Sequence, residues 1–367
     1  MRRSLLFALV VSCRAPAPSP EPAIQVGQVL AGDDSGFARA LGPRAFEFPA
    51  DHGPHPEFRS EWWYLTGHLR AGERRFGYQF TIFRQALAPA AEPRASAWAT
   101  RQAYMAHLAV TDEAGHRFVA FERLARDGAR LAGADKDSSG WKLWVEDWSM
   151  QPELPIQLHA REPGQVELAL RVDPGRGPVL QGEGGLSRKG PEPGNASYYY
   201  SCTRLPTSGS LRIGDHEYAV SGESWLDREW STSALGPELA GWDWLALDLS
   251  DGRDLMVYRL RRKDGGVAGE SRATLIEASG ATHLFGPEAF RMTPRSFWTS
   301  THTGARYPVS VLVEIPEVGL RVETHPLLED QELRLSFRYW EGAVSAVGRA
   351  GAAITGSGYL ELTGYAP

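Results

Sequence analysis

The chain has 367 residues, which excludes a single small module and favours two domains or one large one. Its 39 basic and 45 acidic residues give a formal charge of −6, and no cluster of Lys or Arg stands out, so nucleic acid is not an expected partner. Gly (39) and Pro (25) occur along the whole length, and 12 Trp against only 5 Met indicate rigid aromatic interiors. This composition favours an all-β protein with many short turns.

The first residues have the layout of an export signal. Two arginines precede the apolar run Leu5–Val11, which is too short to span a bilayer. Cys13 follows in a context that resembles a bacterial lipobox, and a stretch rich in Pro and Ala comes next. We therefore predict a signal peptide over residues 1–12, acylation of Cys13 and a tether over 13–35. The alternative is that Cys13 is an ordinary small apolar residue.

Strands dominate the remaining chain. In Phe76–Ile82 and Val166–Val172 every second residue is apolar, which is typical of a strand with one buried face. Asp251-Gly252 separates two further runs of this kind, and Asp-Gly in that position is a strong hairpin signal. No segment carries a sustained helical period.

An internal repeat divides the chain. Glu61–Tyr78 aligns with Gly241–Tyr258 at a constant offset of 180, with five identical residues, although two β-hairpins can also be similar by chance. An antiparallel sheet without covering helices must close on itself or pack on another sheet. We therefore predict two consecutive antiparallel β-barrel or sandwich domains over residues 36–206 and 207–367.

Three acids, Glu61, Asp243 and Glu341, each follow or flank tryptophans in the sequence. Aromatic walls desolvate a carboxyl group, raise its pKa and stabilise positive charge, so each acid is a candidate proton donor to an alkene or polyene. The alternative is structural, because a strand places the acid of Trp-Asp-Trp on the face opposite both indoles. The candidate ligand contacts around these acids are Trp62, Trp63, Tyr64, Arg228, Trp230, Trp242, Trp244, Tyr258 and Trp340.

Metal and cofactor signals are weak. His52 and His55 lie in one loop beside Asp51, but no His-Glu-x-x-His helix or cysteine pair is present to complete a metal site. No P-loop, dinucleotide fingerprint or Gly-x-Ser-x-Gly turn occurs in a convincing context. We predict neither a metal nor a cofactor.

Several Trp-containing motifs, in this order along the chain, resemble the AttH/CrtC family. They are Asp51-His52-x-x-His55-Pro56, Glu61–Tyr64, Tyr199–Ser201, Ser224–Trp230, Gly241–Trp244, Tyr339–Gly342 and Gly358–Tyr365. The resemblance implies two lipocalin-like (calycin) domains and a lipophilic ligand. One branch of that family comprises carotenoid 1,2-hydratases, which add water by acid catalysis, and the AttH branch is associated with ABC transporter systems.

In the hydratase branch a His-x-Trp and a Tyr-x-Asp contribute to the site. Here Arg228 stands two residues before Trp230, and Leu260 stands two residues after Tyr258, so both positions depart from that pattern. Arginine cannot be deprotonated for acid–base work and would instead hold a nearby carboxylate ionised.

Two functions remain open, besides an envelope scaffold that binds no ligand and would have filled barrels without a cavity. The first is a monomeric, lipid-anchored protein of the cell envelope that binds a lipophilic small molecule and delivers it to an ABC transporter. The second is a hydratase-like or cyclase-like enzyme that protonates a polyene or isoprenoid. The enzyme requires at least one of the three acids to point into a closed apolar cavity.

Overall fold

A computed structural model describes residues 34–89, 96, 98–232 and 235–366. The predicted signal peptide, Cys13 and nearly all of the predicted tether lie outside these residues. Within this part of the chain, no helix has the length and apolar character needed to cross a membrane.

The first sheet contains thirteen antiparallel strands. Nine of them run β4-β3-β2-β1-β13-β12-β9-β8-β7, β6 and β5 follow at the end, and β10 and β11 pair with β12. Strands β3 and β4 also contact β5 and β6, so the sheet curls towards a closed barrel. The strands are β1 (Ser60–Ala71), β2 (Arg74–Ala86), β3 (Gln102–Asp112), β4 (Arg117–Arg126), β5 (Ala132–Asp137), β6 (Gly140–Val145), β7 (Trp148–Gln151), β8 (Ile156–Glu162), β9 (Val166–Val172), β10 (Val179–Leu180), β11 (Leu186–Arg188), β12 (Ala196–Ile213) and β13 (His216–Ser231).

The second sheet contains ten strands in the order β17-β16-β15-β14-β23-β22-β20-β19-β18, with β21 paired to β22. They are β14 (Leu239–Leu249), β15 (Asp254–Arg262), β16 (Arg272–Ile276), β17 (Thr282–Phe285), β18 (Arg291–Thr299), β19 (Arg306–Ile315), β20 (Leu320–Pro326), β21 (Glu332–Arg334), β22 (Arg338–Ala350) and β23 (Ala352–Leu362). Helical turns are limited, in the described residues, to the 3₁₀ segments Ala50–His52, Gly128–Arg130 and Pro316–Val318. The predicted all-β class is confirmed.

Both sheets have the same strand order along nine strands, with β1 equivalent to β14 and β13 equivalent to β23. The hairpin β1–β2 and the hairpin β14–β15 are the two segments that align at the offset of 180 in the sequence. The two domains are therefore related by topology as well as by sequence.

The predicted boundary at residues 206 and 207 lies inside β12, so the division between the sheets is corrected to the segment between Ser231 and Leu239. Gly209, close to the predicted boundary, lies within this strand. A Cβ on Gly209 would meet the carbonyl oxygen of Ala169 at 2.1 Å, and its φ is +152°. The glycine therefore permits a close approach of two strands and does not end β12.

Each sheet has buried side chains on both of its faces. In β1, Trp63 and Leu65 point into the core of the first barrel, whereas Trp62 and Tyr64 lie on the opposite face, towards the second sheet. Residues of both domains pack together there in a separate cluster that includes Trp244. This second face is where the two domains meet.

An ion-pair cluster fixes the orientation of the domains. Asp254 of the second sheet is buried and accepts hydrogen bonds from Arg204 Nε (2.6 Å), Arg176 Nη1 (2.9 Å) and Thr203 Oγ1 (2.8 Å) of the first domain. Because the partners come from two domains, separating the domains would leave a buried carboxylate without its arginines.

Candidate functional site

A cavity of about 670 Å³ lies between the two sheets. Its walls come from β1, β2, β3, β12 and β13 on one side and from β14, β15, β22 and β23 on the other. Aromatic side chains form much of the wall, among them Trp62, Phe83, Trp242, Trp244 and Tyr258. The volume and the aromatic lining are suited to an apolar small molecule.

Strand register brings acids to this aromatic face. Tyr64 of β1 lies opposite Asp227 of β13, and the equivalent Trp244 of β14 lies opposite Glu361 of β23. Glu361 in turn lies opposite Glu341 on β22. The repeat thus places one acid of each domain beside the cavity, and β22 adds a third.

Glu341 is buried in the cavity wall, and its two oxygens differ. The hydroxyl group of Tyr64 donates a hydrogen bond to Oε1, whereas Oε2 is buried without a hydrogen-bond partner among the described residues. Burial, followed by the negative charges of Glu361 and Asp227, holds the pKa of Glu341 well above its ordinary value, although the bond from Tyr64 opposes this shift. Glu341 therefore holds its proton more strongly than an exposed glutamate does, and its Oε2 has no hydrogen-bond partner among the described residues.

Two more acids share this environment. Burial raises the pKa of Asp227 to about 7, although Ser201 Oγ at 2.5 Å and Trp225 Nε1 at 2.8 Å donate hydrogen bonds to Oδ1. Burial likewise raises the pKa of Glu361 to about 8, even with a hydrogen bond of 3.0 Å from Trp242 Nε1. Three carboxyl groups thus lie together, and none of them has an arginine partner among the described residues.

A fourth carboxylate in the wall is ion-paired. Lys189 Nζ lies 2.8 Å from Glu229 Oε1 and 4.9 Å from the ring centroid of Tyr258. Burial alone would lower the pKa of Lys189, but the negative charge of Glu229 raises it, so the lysine stays charged. The cavity therefore presents protonated acids together with an ion-paired carboxylate.

Glu61 reaches the cavity wall but is saturated by arginines. Arg84 Nε donates to Oε1, Arg228 Nη2 lies 2.7 Å from Oε2, and the backbone N–H of His55 donates at 3.1 Å. Burial would raise the pKa of Glu61, but the two guanidinium groups hold it far below its ordinary value. Its predicted role as a proton donor is therefore corrected, because the two arginines favour the ionised form of Glu61.

Asp243 is also corrected as a proton donor. Its oxygens accept hydrogen bonds from Arg259 Nε and Arg261 Nε, both at 2.9 Å, and from the hydroxyl group of Tyr365, also at 2.9 Å. Asp243 lies on the face of β14 opposite Trp242 and does not line the cavity. Its role is structural, inside the second barrel.

The remaining predicted contacts divide by strand alternation. Trp62, Tyr64, Trp242, Trp244 and Tyr258 line the cavity, and Trp63, Arg228, Trp230 and Trp340 do not. The guanidinium carbon of Arg228 lies 3.8 Å from the ring centroid of Trp63, and Trp230 stacks on His55 at 3.7 Å. Trp340 belongs to the core of the second barrel. These four residues support the barrels and do not form the cavity wall.

Sequence reasoning missed Glu361, Lys189 and Tyr199 as residues of the cavity wall. For Glu361 a signal existed, because the repeat makes it the equivalent of Asp227 and strand alternation separates it from Leu360 and Leu362. Lys189 follows the three-residue strand β11, and no pattern indicated its position.

The two histidines of the 51–56 loop take part in hydrogen bonds within the first domain. His52 Nδ1 lies 2.6 Å from the hydroxyl group of Tyr200, and His55 lies between Asp51 and Glu61. Among the described residues, no group of three or more His, Cys, Asp or Glu side chains is arranged to hold a metal ion.

Comparison with known proteins shows the family. The sequence profile described as AttH-like matches residues 39–365. The chain belongs to the AttH-like family. The crystal structure of an AttH protein, NE1406 from Nitrosomonas europaea, is 37% identical, with a TM-score of 0.79, and the match covers 90% of this chain and all of that one. The two predicted lipocalin-like domains are confirmed by this match.

More distant structures share the fold. Kievitone hydratase from Nectria haematococca is 15% identical with a TM-score of 0.65, covering 90% of this AttH-like chain and 96% of its own. CghA in complex with Sch210972 is 12% identical with a TM-score of 0.55, covering 91% and 97%. None of the curated proteins matches the chain.

Proposed function

We propose that this AttH-like protein is an enzyme that binds a lipophilic small molecule in the cavity between its domains and transfers a proton to it. The observation that carries this proposal is Glu341, whose Oε2 is buried in an aromatic-walled cavity with no partner among the described residues. A protein that only carries its ligand needs the cavity but has no use for a protonated carboxyl group with a free oxygen.

Glu341 is the proton donor. Its O–H bond breaks, the proton forms a C–H bond with one alkene carbon, and the electron pair of the O–H bond stays on the carboxylate. The cation on the other carbon lies between aromatic walls and beside the new carboxylate, both of which stabilise positive charge. Tyr64, bonded to Oε1, fixes the orientation of the carboxyl group.

Glu229 is the candidate base. In a hydration, the oxygen of a water molecule bonds to the cation and one proton of that water passes to Glu229. In a cyclisation, a second double bond attacks the cation and Glu229 takes the proton that is finally lost. Its pairing with Lys189 distinguishes it from the protonated acids, and groups in such contrasting environments serve as acid and base.

The only support that the distant structural neighbours give to this class of reaction is the name of one of them. Kievitone hydratase is called a hydratase, and it shares the two-domain fold over 90% of this chain. The substrate class that fits the cavity is a polyene or isoprenoid with no fixed charge.

Carriage is the second candidate function, favoured by the export signal and Cys13 in the sequence. In that case the lipid-anchored protein of the cell envelope would deliver its ligand unchanged to an ABC transporter. The enzyme proposal is compatible with the same anchor and the same location.

The test uses the full chain, incubated with a lipid extract of the source organism in water enriched in ¹⁸O and then analysed by mass spectrometry. A hydrated product carries ¹⁸O, and a cyclised product has the mass of the ligand but a different retention time. We expect Glu341→Gln to keep binding and to lower turnover by roughly 100-fold to 10,000-fold.

The matched control is Glu332→Gln. Glu332 is also a buried glutamate of the second domain, but it is bonded to Ser300, Thr303 and Tyr307 and does not line the cavity. Recovery of the ligand unchanged from the wild-type protein would contradict the enzyme proposal and leave carriage as the function. Equal turnover in wild type and Glu341→Gln would contradict the assignment of Glu341.

A further inference from the structure

One end of the first sheet exposes large apolar side chains. The start of β1, the end of β2, the start of β3 and the end of β4 lie side by side there, as the pairs Ser60 with Gln85 and Ala103 with Arg126 show. Beyond or near these strand ends, the exposed apolar side chains include Leu87, Trp98 and Leu124. We call this set the apolar end.

The apolar end surrounds the mouth of the cavity. Leu87 and Leu124 line the cavity and are at the same time 55% and 63% exposed, so they lie where the cavity opens. Trp98 is 75% exposed, and its backbone carbonyl approaches Gly128, just beyond the end of β4. Several large apolar side chains exposed at one opening are typical of an interaction site.

The described chain begins at the same place. A Cβ on Gly36 would lie 2.9 Å from Cγ of Pro89, two residues beyond Leu87, and Thr232 Oγ1 donates to the carbonyl oxygen of Ala38. Cys13, the predicted acylation site, lies 21 residues before Asp34. A lipid anchor on Cys13 would therefore connect to the described part of the chain at the end where the cavity opens.

From these observations we infer that the apolar end docks on a lipid bilayer and that the ligand passes directly between the bilayer and the cavity. Leu87, Trp98 and Leu124 enter the interfacial region, where exposed Leu and Trp side chains bind. The ligand class rests on the proposed function, but the docking itself does not require any reaction. A ligand that is poorly soluble in water then reaches Glu341 without crossing the aqueous phase.

A matched control position exists in the second domain. Val347 of β22 is 49% exposed, and it pairs with Thr355 near the turn that follows β14, far along the strand from Trp340 at the cavity end. It is thus an exposed apolar residue that the inferred docking does not cover.

The experiment measures the protection of introduced thiols in the full chain. Leu124→Cys and Val347→Cys variants react with a water-soluble maleimide, with and without vesicles of phosphatidylethanolamine and phosphatidylglycerol. Mass spectrometry of the peptides scores Cys13 separately, and Cys202 is fully buried. We expect vesicles to slow the labelling of Leu124→Cys about tenfold, as for a side chain moved into lipid, and to leave Val347→Cys unchanged.

A second change tests the apolar contact. Adding Leu87→Glu to Leu124→Cys places a charge in the interface and should remove most of the protection, while the anchor still holds the chain on the vesicle. Slow labelling of Leu124→Cys before vesicles are added would show that another part of the chain covers the apolar end, and it would overturn the inference. So would equal protection at both positions. Neither result bears on turnover by Glu341.

Discussion

Two groups of buried acids in this molecule have pKa values that are shifted in opposite directions. Glu61 lies inside the first barrel between Arg84 and Arg228, and the pKa of its carboxyl group is far below the ordinary value. Glu341 is equally buried between the domains, but the charges nearest to it are other carboxyl groups, and its pKa is far above the ordinary value. Burial alone therefore does not determine the charge state of an acid. The sign of the nearest charges decides it.

The barrel interiors and the cavity between the domains contain different kinds of acid. Each barrel contains one acid held by two arginines, Glu61 in the first and Asp243 in the second. The cavity between the domains is lined by aromatic side chains and by Asp227, Glu341 and Glu361, which have no arginine partner among the described residues. Structural acids thus fix the barrels, and the acids suited to chemistry lie in the wall of the cavity between the domains.

The largest expected effect is the loss of stability when an acid held by arginines is removed. Glu61→Gln leaves Arg84 and Arg228, both with fully buried side chains, without their counter-charge. We expect the free energy of unfolding to fall by about 3–5 kcal/mol, measured by urea denaturation. Glu217→Gln, which removes the half-exposed partner of Arg212, is the control and should cost less than about 1 kcal/mol. A similar small loss in both variants would contradict the structural role of Glu61.

Sequence reasoning could not separate Glu61 from Glu341. Both acids follow or precede tryptophan in the sequence, and that local context predicted a proton donor in each case. The arginines that decide the charge of Glu61 come from β2 and β13, at separations of 23 and 167 residues. Only the pairing of the strands brings these arginines to Glu61. The residues next to Glu61 in the sequence do not reveal that pairing.

The fold was more accessible to prediction than the site. Alternation and turn residues predicted the strands, and the offset of 180 predicted two related sheets. The same alternation separates Trp62 and Tyr64 from Trp63 on opposite faces of β1. It does not tell which face meets the second domain, because both faces are apolar. The cavity residues therefore had to come from the structure.

The pH dependence of stability tests the raised pKa values of the acids in the cavity wall. Burial raises the pKa of Asp227 to about 7 and that of Glu361 to about 8, from ordinary values of 3.8 and 4.5. Between these limits the unfolded chain has lost protons that the folded chain keeps, so the free energy of unfolding falls as pH rises. The contribution is fully present below about pH 4 and is lost up to about pH 8, by at most roughly 1.4 kcal/mol per pH unit for each acid.

Urea denaturation at pH 5 and pH 8 measures this loss. Asp227→Asn and Glu361→Gln should each reduce the difference between the two pH values, because the substituted side chain cannot ionise. Glu61 has the opposite sign, since its lowered pKa gives stability that is present above its ordinary value of 4.5 and is lost as pH falls. A pH dependence that is the same in Asp227→Asn and Glu361→Gln as in the wild type would contradict the raised pKa values of these two acids.

The smallest effect concerns the hydrogen bond that Tyr64 donates to Glu341. This bond favours the ionised form of Glu341 and so opposes the burial that raises the pKa of its carboxyl group. Tyr64→Phe removes the bond, so the pKa of Glu341 should rise further, by less than about one pH unit for a bond worth about 1 kcal/mol. Infrared titration of the protonated carboxyl band, assigned by its absence in Glu341→Gln, measures the shift.

Tyr258→Phe is the control for this last change, because Tyr258 also lines the cavity but accepts its hydrogen bond from Ser187. It should leave the carboxyl band of Glu341 where it is. A lower pKa of Glu341 in Tyr64→Phe would mean that the tyrosine stabilises the protonated form, and the proton would then lie on Oε1 and not on the free oxygen. The direction of this small shift therefore decides which oxygen of Glu341 can give its proton to a ligand.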